Sequence, residues 1–424
     1  MKTVVTPGAL DTKGADYEFL VRSIQSHGVN TLTVDFGVIG DPPFTPDVTN
    51  VEIARAAGVD LDSLRQSKDK TRAMRVMSDG LARILSRLRE ERRLDGVCGM
   101  GGSSGTTILS AGVRGLPIGV PKLLVSTVAA GDVSAYVSSA DVTMMHSVVD
   151  VAGLNRISRE IYTNAAAAIA GMVEAVRPRP EGEKPLVAAS MFGNTTACID
   201  RARASLECTG CEVLVFHATG NGGRTMQRIA AEGLLAGLLD LTTTELADEV
   251  CGGVFSAGPD RVLIGASCAI PVVLAPGCVD MCNFGPRQSV PLQYTSRLLY
   301  EWNANVTLLR TNLDENRKIG ELIAETANRC GGPAVVLLPL RGVSMLDSPG
   351  GPFWDEAADH ACFNAIRSNL NKNIPVIEID ANINDPIFAD RATQVLLEQM
   401  ALSSEILKLS RQHKRPFPLS QRTL

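Results

Sequence analysis

The chain has 424 residues, too many for a single ordinary core, and its 45% hydrophobic and 21% charged residues are the balance of a folded globular protein. A net charge of −5 and an aromatic content of only 4% exclude a dedicated nucleic-acid binder, which would need a basic field and stacking rings. No stretch has the apolar length of a membrane span, the N-terminus lacks a signal-peptide core, and the ten cysteines are scattered, so a soluble, cytoplasmic protein without membrane partners is expected.

In chain order, Thr3–Thr6 reads as a short β-branched strand, followed by a Pro7-Gly8 turn and the polar run Asp11-Thr12-Lys13-Gly14. A helical stretch through Tyr17, Leu20 and Ile24 then leads to a strand at Thr31–Phe36. Lys70–Leu94 has the strongest helical periodicity, with Met74, Met77, Leu81, Ile84, Leu85 and Leu88 on one face. Gly96–Gly99 and Leu123–Val125 are apolar strands, and a long helix is expected from Asn155 to Val176. Three prolines and five charges between Arg177 and Pro185 predict a linker separating domains 1–180 and 185–424.

The second half opens like the first, with a strand at Leu186–Ser190, a turn at Phe192–Thr196, a helix through Ile199, Ala202 and Leu206, and a strand at Glu212–Phe216. In each half the second strand begins roughly 28 residues after the first, the length of a βαβ unit. Further apolar strands at Pro271–Ala275, Ala334–Leu338 and Pro375–Ile379 suit parallel sheets covered on both faces. The expected fold is therefore α/β, with two Rossmann-like domains whose mainly parallel sheets are flanked by helices.

Ligands of such sheets bind beyond the carboxyl ends of the strands, so the loops there hold the candidate residues. Gly99–Thr107 follows a strand and precedes a helix expected from Ile108. Within it Gly101, Gly102, Ser103, Ser104, Gly105 and Thr106 combine bare backbone N–H groups with hydroxyls suited to an anion, or else form a tight capped turn. It is not a Walker A loop, since no lysine follows the last glycine. A second loop sets His217 beside Gly220, Gly222, Gly223 and Arg224, an acid–base group next to a guanidinium. Asp280 follows a third strand, where it can hold magnesium or orient His217. Arg341, Ser344 and Asp347 sit in a Gly/Pro-rich loop long enough to be a lid. Cys278 is either a nucleophile or a buried inert thiol, and the Cys208/Cys211 and Cys278/Cys282 pairs are expected at opposite edges of the sheet, whereas structural zinc needs pairs that converge.

Taken together, Asp11-Thr12-Lys13-Gly14, Gly101–Thr106, His217-Ala218-Thr219-Gly220 and Asn283-Phe284-Gly285 resemble the UPF0261 family of Tm-1-like ATP-binding proteins over essentially the whole chain. The resemblance implies two Rossmann-like domains and binding of ATP with Mg2+. The residues then suggest a phosphate site at Gly101–Thr106 faced by Asp11, Thr12 and Lys13. His217, Asp280 and Arg341 would be catalytic groups, and Gly220, Gly222, Gly223, Arg224, Ser344 and Asp347 would bind a small anionic substrate at an interdomain cleft. Alternatives are a nucleotide-independent hydrolase or lyase in the second domain and a non-catalytic, nucleotide-gated interaction protein. Apolar and alanine-rich helices also suggest a homo-oligomer.

Overall fold

The computed structural model describes residues 1–176, 182–266 and 268–413. Most of the expected linker, and the tail beyond His413, lie outside them. The chain divides into two compact units, Met1–Arg179 and Pro180–Leu424.

The first unit runs β1 (Thr3–Gly8), α1 (Leu10–Gln25), β2 (Asn30–Asp35), α2 (Asn50–Ala56), α3 (Leu61–Ser67) and α4 (Lys70–Glu90). It continues with β3 (Gly96–Gly101), α5 (Ser103–Arg114), β4 (Lys122–Ser126), α6 (Ser134–Val137), β5 (Thr143–His146) and α7 (Arg156–Glu174). Its five strands are parallel in the order β2-β1-β3-β4-β5, a doubly wound sheet. Strand alternation assigns the faces. Val4 packs with Tyr17, Tyr162 and Ala165 of α1 and α7, while Val5 packs with Met77, Leu81 and Leu109 of α4 and α5. Asp69 caps α4 by accepting from Arg72 N, and Asn155 and Ser158 form a capping box on α7.

Pro7 and Gly8, expected as a turn, instead finish β1, and Asp11–Gly14 form the first turn of α1. Gly8 is small because a Cβ there would stand 2.2 Å from the Tyr17 ring.

The second unit begins β6 (Leu186–Met191), α8 (Thr196–Cys208), β7 (Glu212–His217), α9 (Asn221–Ala231), β8 (Gly237–Thr242), α10 (Thr244–Cys251) and β9 (Val272–Gly277). A hairpin-like insertion follows, comprising β10 (Met281–Phe284), β11 (Leu299–Asn303) and β12 (Val306–Arg310). The unit ends with α11 (Leu313–Arg329), β13 (Ala334–Pro339), α12 (Glu356–Asn369), β14 (Val376–Ile379) and α13 (Pro386–His413). Its six parallel strands lie in the order β14-β13-β9-β8-β6-β7, which repeats the order of the first sheet with one strand added. The segment after Ala275 was expected to be a loop. It contains β10, which pairs antiparallel with β12 in a separate three-stranded sheet. That pairing joins residues more than twenty positions apart, so local pattern does not announce it.

Candidate functional site

In the first unit β1 pairs with β3 only at Val4–Gly96 and Val5–Val97, and the two strands then part. Their divergence is the switch point at which doubly wound sheets bind ligands. The helix after β3 starts at Ser103, five residues before the expected Ile108. Gly102 is its N-cap and brings no side-chain cap. Thr106 N is the first amide to reach back, bonding Gly102 O at 2.8 Å. The N–H groups of Ser103, Ser104 and Gly105 therefore have no intrahelical acceptor and sit at the positive end of the helix dipole.

Those residues line a cavity of about 750 Å³, together with Asp11, Thr12, Lys13, Lys68, Lys70 and Asp150. Its apolar walls include Phe36, Val38, Leu64, Met74, Met77 and Ile108. Of the residues expected at a phosphate, Asp11, Thr12, Lys13, Gly101, Gly102, Ser103, Ser104 and Gly105 share this cavity. Thr106 is not among its lining residues. It is buried, and its hydroxyl bonds Gly101 O and Ser126 Oγ, tying the ends of β3 and β4.

The Asp11 carboxylate is half engaged, since its Oδ1 is buried without a hydrogen-bond partner. Its Oδ2 accepts from Ile39 N and Gly40 N and so pins the loop after β2. Arg65 donates to Val38 O and Gly40 O, Asn50 donates to Gly37 O, and Asp35 accepts from Leu10 N and Gly37 N. Burial pushes the Asp35 carboxyl up to about 6, against the two backbone donors that lower it. With its backbone groups engaged internally, this loop turns an apolar face to the cavity. The Lys13 ammonium, by contrast, has no hydrogen-bond or ion-pair partner among the described residues, whereas the backbone N–H of Lys13 donates to Ala9 O.

The second unit treats its glycine loop differently. Gly220 N and Gly223 N both donate to Glu245 Oε1, at 2.7 and 3.0 Å. Glu245 is fully buried, and its other oxygen accepts from Arg261 Nε, while the Arg261 terminal nitrogens form a bidentate pair with Asp240. The anion at this helix N-terminus is thus a side chain of the protein itself, and these two glycine amides are not free for a substrate. Gly222 serves the turn, since a Cβ there would meet His217 O at 1.9 Å.

The expected catalytic groups do not form one hydrogen-bonded cluster. His217 is exposed and lies against Phe192, with ring centroids 5.3 Å apart. Asp280 is fully buried and accepts from Ser344 Oγ, and among the described residues no hydrogen bond joins it to His217. Arg341 is exposed and paired with Asp380, and exposed Arg224 donates to Ser256 O. Ser344 and Asp347 are buried in the segment expected to be a lid. Asp347 accepts from Val343 N, and its other oxygen lies 3.5 Å from Arg310.

Arg310 and Asp359 escaped the sequence reading. Arg310 is buried among Asp280, Asp347 and Asp359, donating to Asp359 at 2.9 Å. One guanidinium faces three carboxyls. Burial, then Asp347, pushes Asp280 up to about 7, and the same two causes push Asp359 up to about 9, both opposed by Arg310. Cys278 is wholly buried, and burial raises its thiol well above the ordinary range, which leaves no thiolate for nucleophilic chemistry. Among the described residues no group of three or more His, Cys, Asp or Glu could hold a metal, and Cys208 and Cys211 are free.

Models of the uncharacterised protein family UPF0261 match residues 2–178 with its N-terminal domain and 184–400 with its C-terminal domain. The chain belongs to the UPF0261 family. A UPF0261 protein of Clostridium tetani is 43% identical over 400 residues, covering 94% of this chain and 99% of that one. The tomato ToMV resistance protein Tm-1(GCR237) is 40% identical over 336 residues, which are 77% of this chain and 44% of the tomato protein. Among solved structures, Acinetobacter baumannii MurG matches 98% of this chain and 96% of its own at 13% identity, with a TM-score of 0.22. Among the described residues of this UPF0261 chain, no helix is long and apolar enough to cross a membrane.

Proposed function

We propose that the N-terminal unit binds ATP with magnesium at the β1–β3 crevice. The observation that carries this reading is the uncapped start of α5, whose three free N–H groups open onto a cavity of about 750 Å³ beside the unpaired Lys13. The polar end suits phosphate, and the apolar walls suit a base. Residues alone argue for an anion with an apolar appendage, and the proposal that this anion is ATP rests on the resemblance to Tm-1-like ATP-binding proteins.

Asp150 supports the magnesium. It lines the cavity, and its carboxylate lies 3.9 Å from where a Cβ of Gly102 would stand. A carboxylate beside a phosphate is repulsive unless a cation bridges them. Magnesium binds through one or two carboxylates plus phosphate oxygens and keeps waters, so it needs no larger protein cluster. Bound there, it would neutralise phosphate charge. Lys13, Lys68 and Lys70 would attract a small anionic metabolite as the second substrate of an ATP-dependent enzyme.

The test is the melting temperature of the full chain with ATP, with and without Mg2+. A ligand at about 100 times its Kd adds about 2.7 kcal/mol. A rise with Mg-ATP is expected, with the Mg2+ dependence lost in Asp150→Asn. An unchanged melting temperature at millimolar Mg-ATP overturns the proposal.

A further inference from the structure

A second, smaller cavity lies wholly within the C-terminal unit, at the carboxyl ends of β6 and β7 and beside the β11–β12 turn. Its volume is about 180 Å³. That is room for one six-membered ring, because a cavity of about 150 Å³ takes benzene.

Four rings contribute to its walls: Phe192, His217, Phe255 and Trp302. Phe192 stands at the centre, 5.3 Å from the His217 ring and 6.1 Å from the Phe255 ring, the latter edge-on. Trp302 is 41% exposed, a large apolar ring left in contact with water on β11. Its edge reaches to 4.0 Å from where a Cβ of Gly193 would be.

One wall group is polar and unsatisfied. Asn194 is 2% exposed and held firmly, its carbonyl accepting from Met345 N and Asn384 Nδ2. Its Nδ2 donates to Met281 Sδ, but its Oδ1 is buried without a partner. A buried acceptor left unmade costs about 1–3 kcal/mol, which a ligand donor would recover.

No Lys, Arg, Asp or Glu lines this cavity. Among the described residues His217 is the one ionisable side chain in the wall, so an anion would find no permanently charged cation there, and a cation would find no carboxylate. We infer that the cavity binds a compact, uncharged ring bearing a hydroxyl or N–H, with the donor on Asn194 Oδ1 and the ring against Phe192 and Trp302. The site differs from the anionic substrate expected for this domain and does not depend on ATP in the other unit.

Phenol, toluene, benzoate and tetramethylammonium can be titrated into the full chain by ligand-observed NMR and Trp fluorescence. Phenol is expected to bind saturably in the millimolar range, at least tenfold more tightly than the two ions. Trp302→Ala, on an exposed strand, should weaken phenol about tenfold. Asn194→Leu should erase the preference for phenol over toluene, with an unchanged melting temperature reporting an intact fold. The inference is overturned if wild-type protein shows no saturable phenol binding, if either ion matches phenol, or if Trp302→Ala has no effect. It also fails if the phenol preference survives Asn194→Leu in a folded protein, or survives the smaller Asn194→Ala, used where Leu unfolds the chain.

Discussion

The Tyr17 hydroxyl occupies the point where β1 and β3 part, accepting from Met100 N at 2.6 Å and lying within hydrogen-bonding reach of Pro7 O and Met100 O. Proline cannot donate to a neighbouring strand, so the phenol takes over a link that the backbone cannot make. Burial raises the Tyr17 pKa, so the group stays protonated and able to donate. Met100 is both its partner and part of the cavity wall. Tyr17→Phe should cost about 1–3 kcal/mol through the stranded Met100 amide. At about 2–4 °C per kcal/mol, differential scanning calorimetry should resolve the loss, and Mg-ATP should bind several-fold more weakly.

Gly102→Asp separates stability from ligand binding. The position has extended backbone, and a Cβ there would meet nothing closer than 3.8 Å, although the new carboxylate would stand near that of Asp150. Aspartate is a better N-cap than glycine by a few tenths of a kcal/mol. The cap gain and the repulsion from Asp150 oppose each other, so the variant should melt close to the wild-type temperature, yet lose its shift with Mg-ATP, because its carboxylate would occupy the proposed phosphate position.

Glu245→Ala removes the internal anion of the second glycine loop. It strands the amides of Gly220 and Gly223 and unpairs one side of buried Arg261. Breaking a buried pair this way costs about 3–5 kcal/mol, measurable by urea unfolding. Added acetate should restore part of the loss, whereas it should leave the wild type unchanged.

Asp347 and Asp359 are both buried beside Arg310, and burial, then the neighbouring Asp347 charge, favours the protonated form of Asp359. Folded Asp359 holds its proton up to about 9, against an ordinary value of 3.8. Between those two values the unfolded chain has released a proton that the folded chain keeps, so this group's contribution to stability falls as pH rises. The fall ends above about 9. Asp359→Asn keeps an acceptor for Arg310 without the titration. Urea unfolding at pH 5, 7 and 9 should give a flatter profile than wild type, with the variant's relative gain largest at pH 9.

Much of the frame was legible locally. The face containing Met77, Leu81, Ile84, Leu85 and Leu88 announced α4, and the repeated strand–helix–strand openings at Thr3 and Leu186 anticipated two related, mainly parallel sheets, whose shared strand order the structure then revealed. Arg341 misled because a loop arginine looks free until Asp380 is found beside it. Arg310 gave no signal, since Asp280, Asp347 and Asp359 meet it only through folding.

By itself, the sequence determined the α/β class, the two halves and the two glycine loops after strands, because periodicity and glycine spacing act over a few neighbouring residues. Only the tertiary structure decided that Ser103, Ser104 and Gly105 keep their N–H groups free while those of Gly220 and Gly223 are taken. The physical reason is that the competing anion, Glu245, lies more than twenty residues along the chain and reaches the second loop only once β8 is in the sheet.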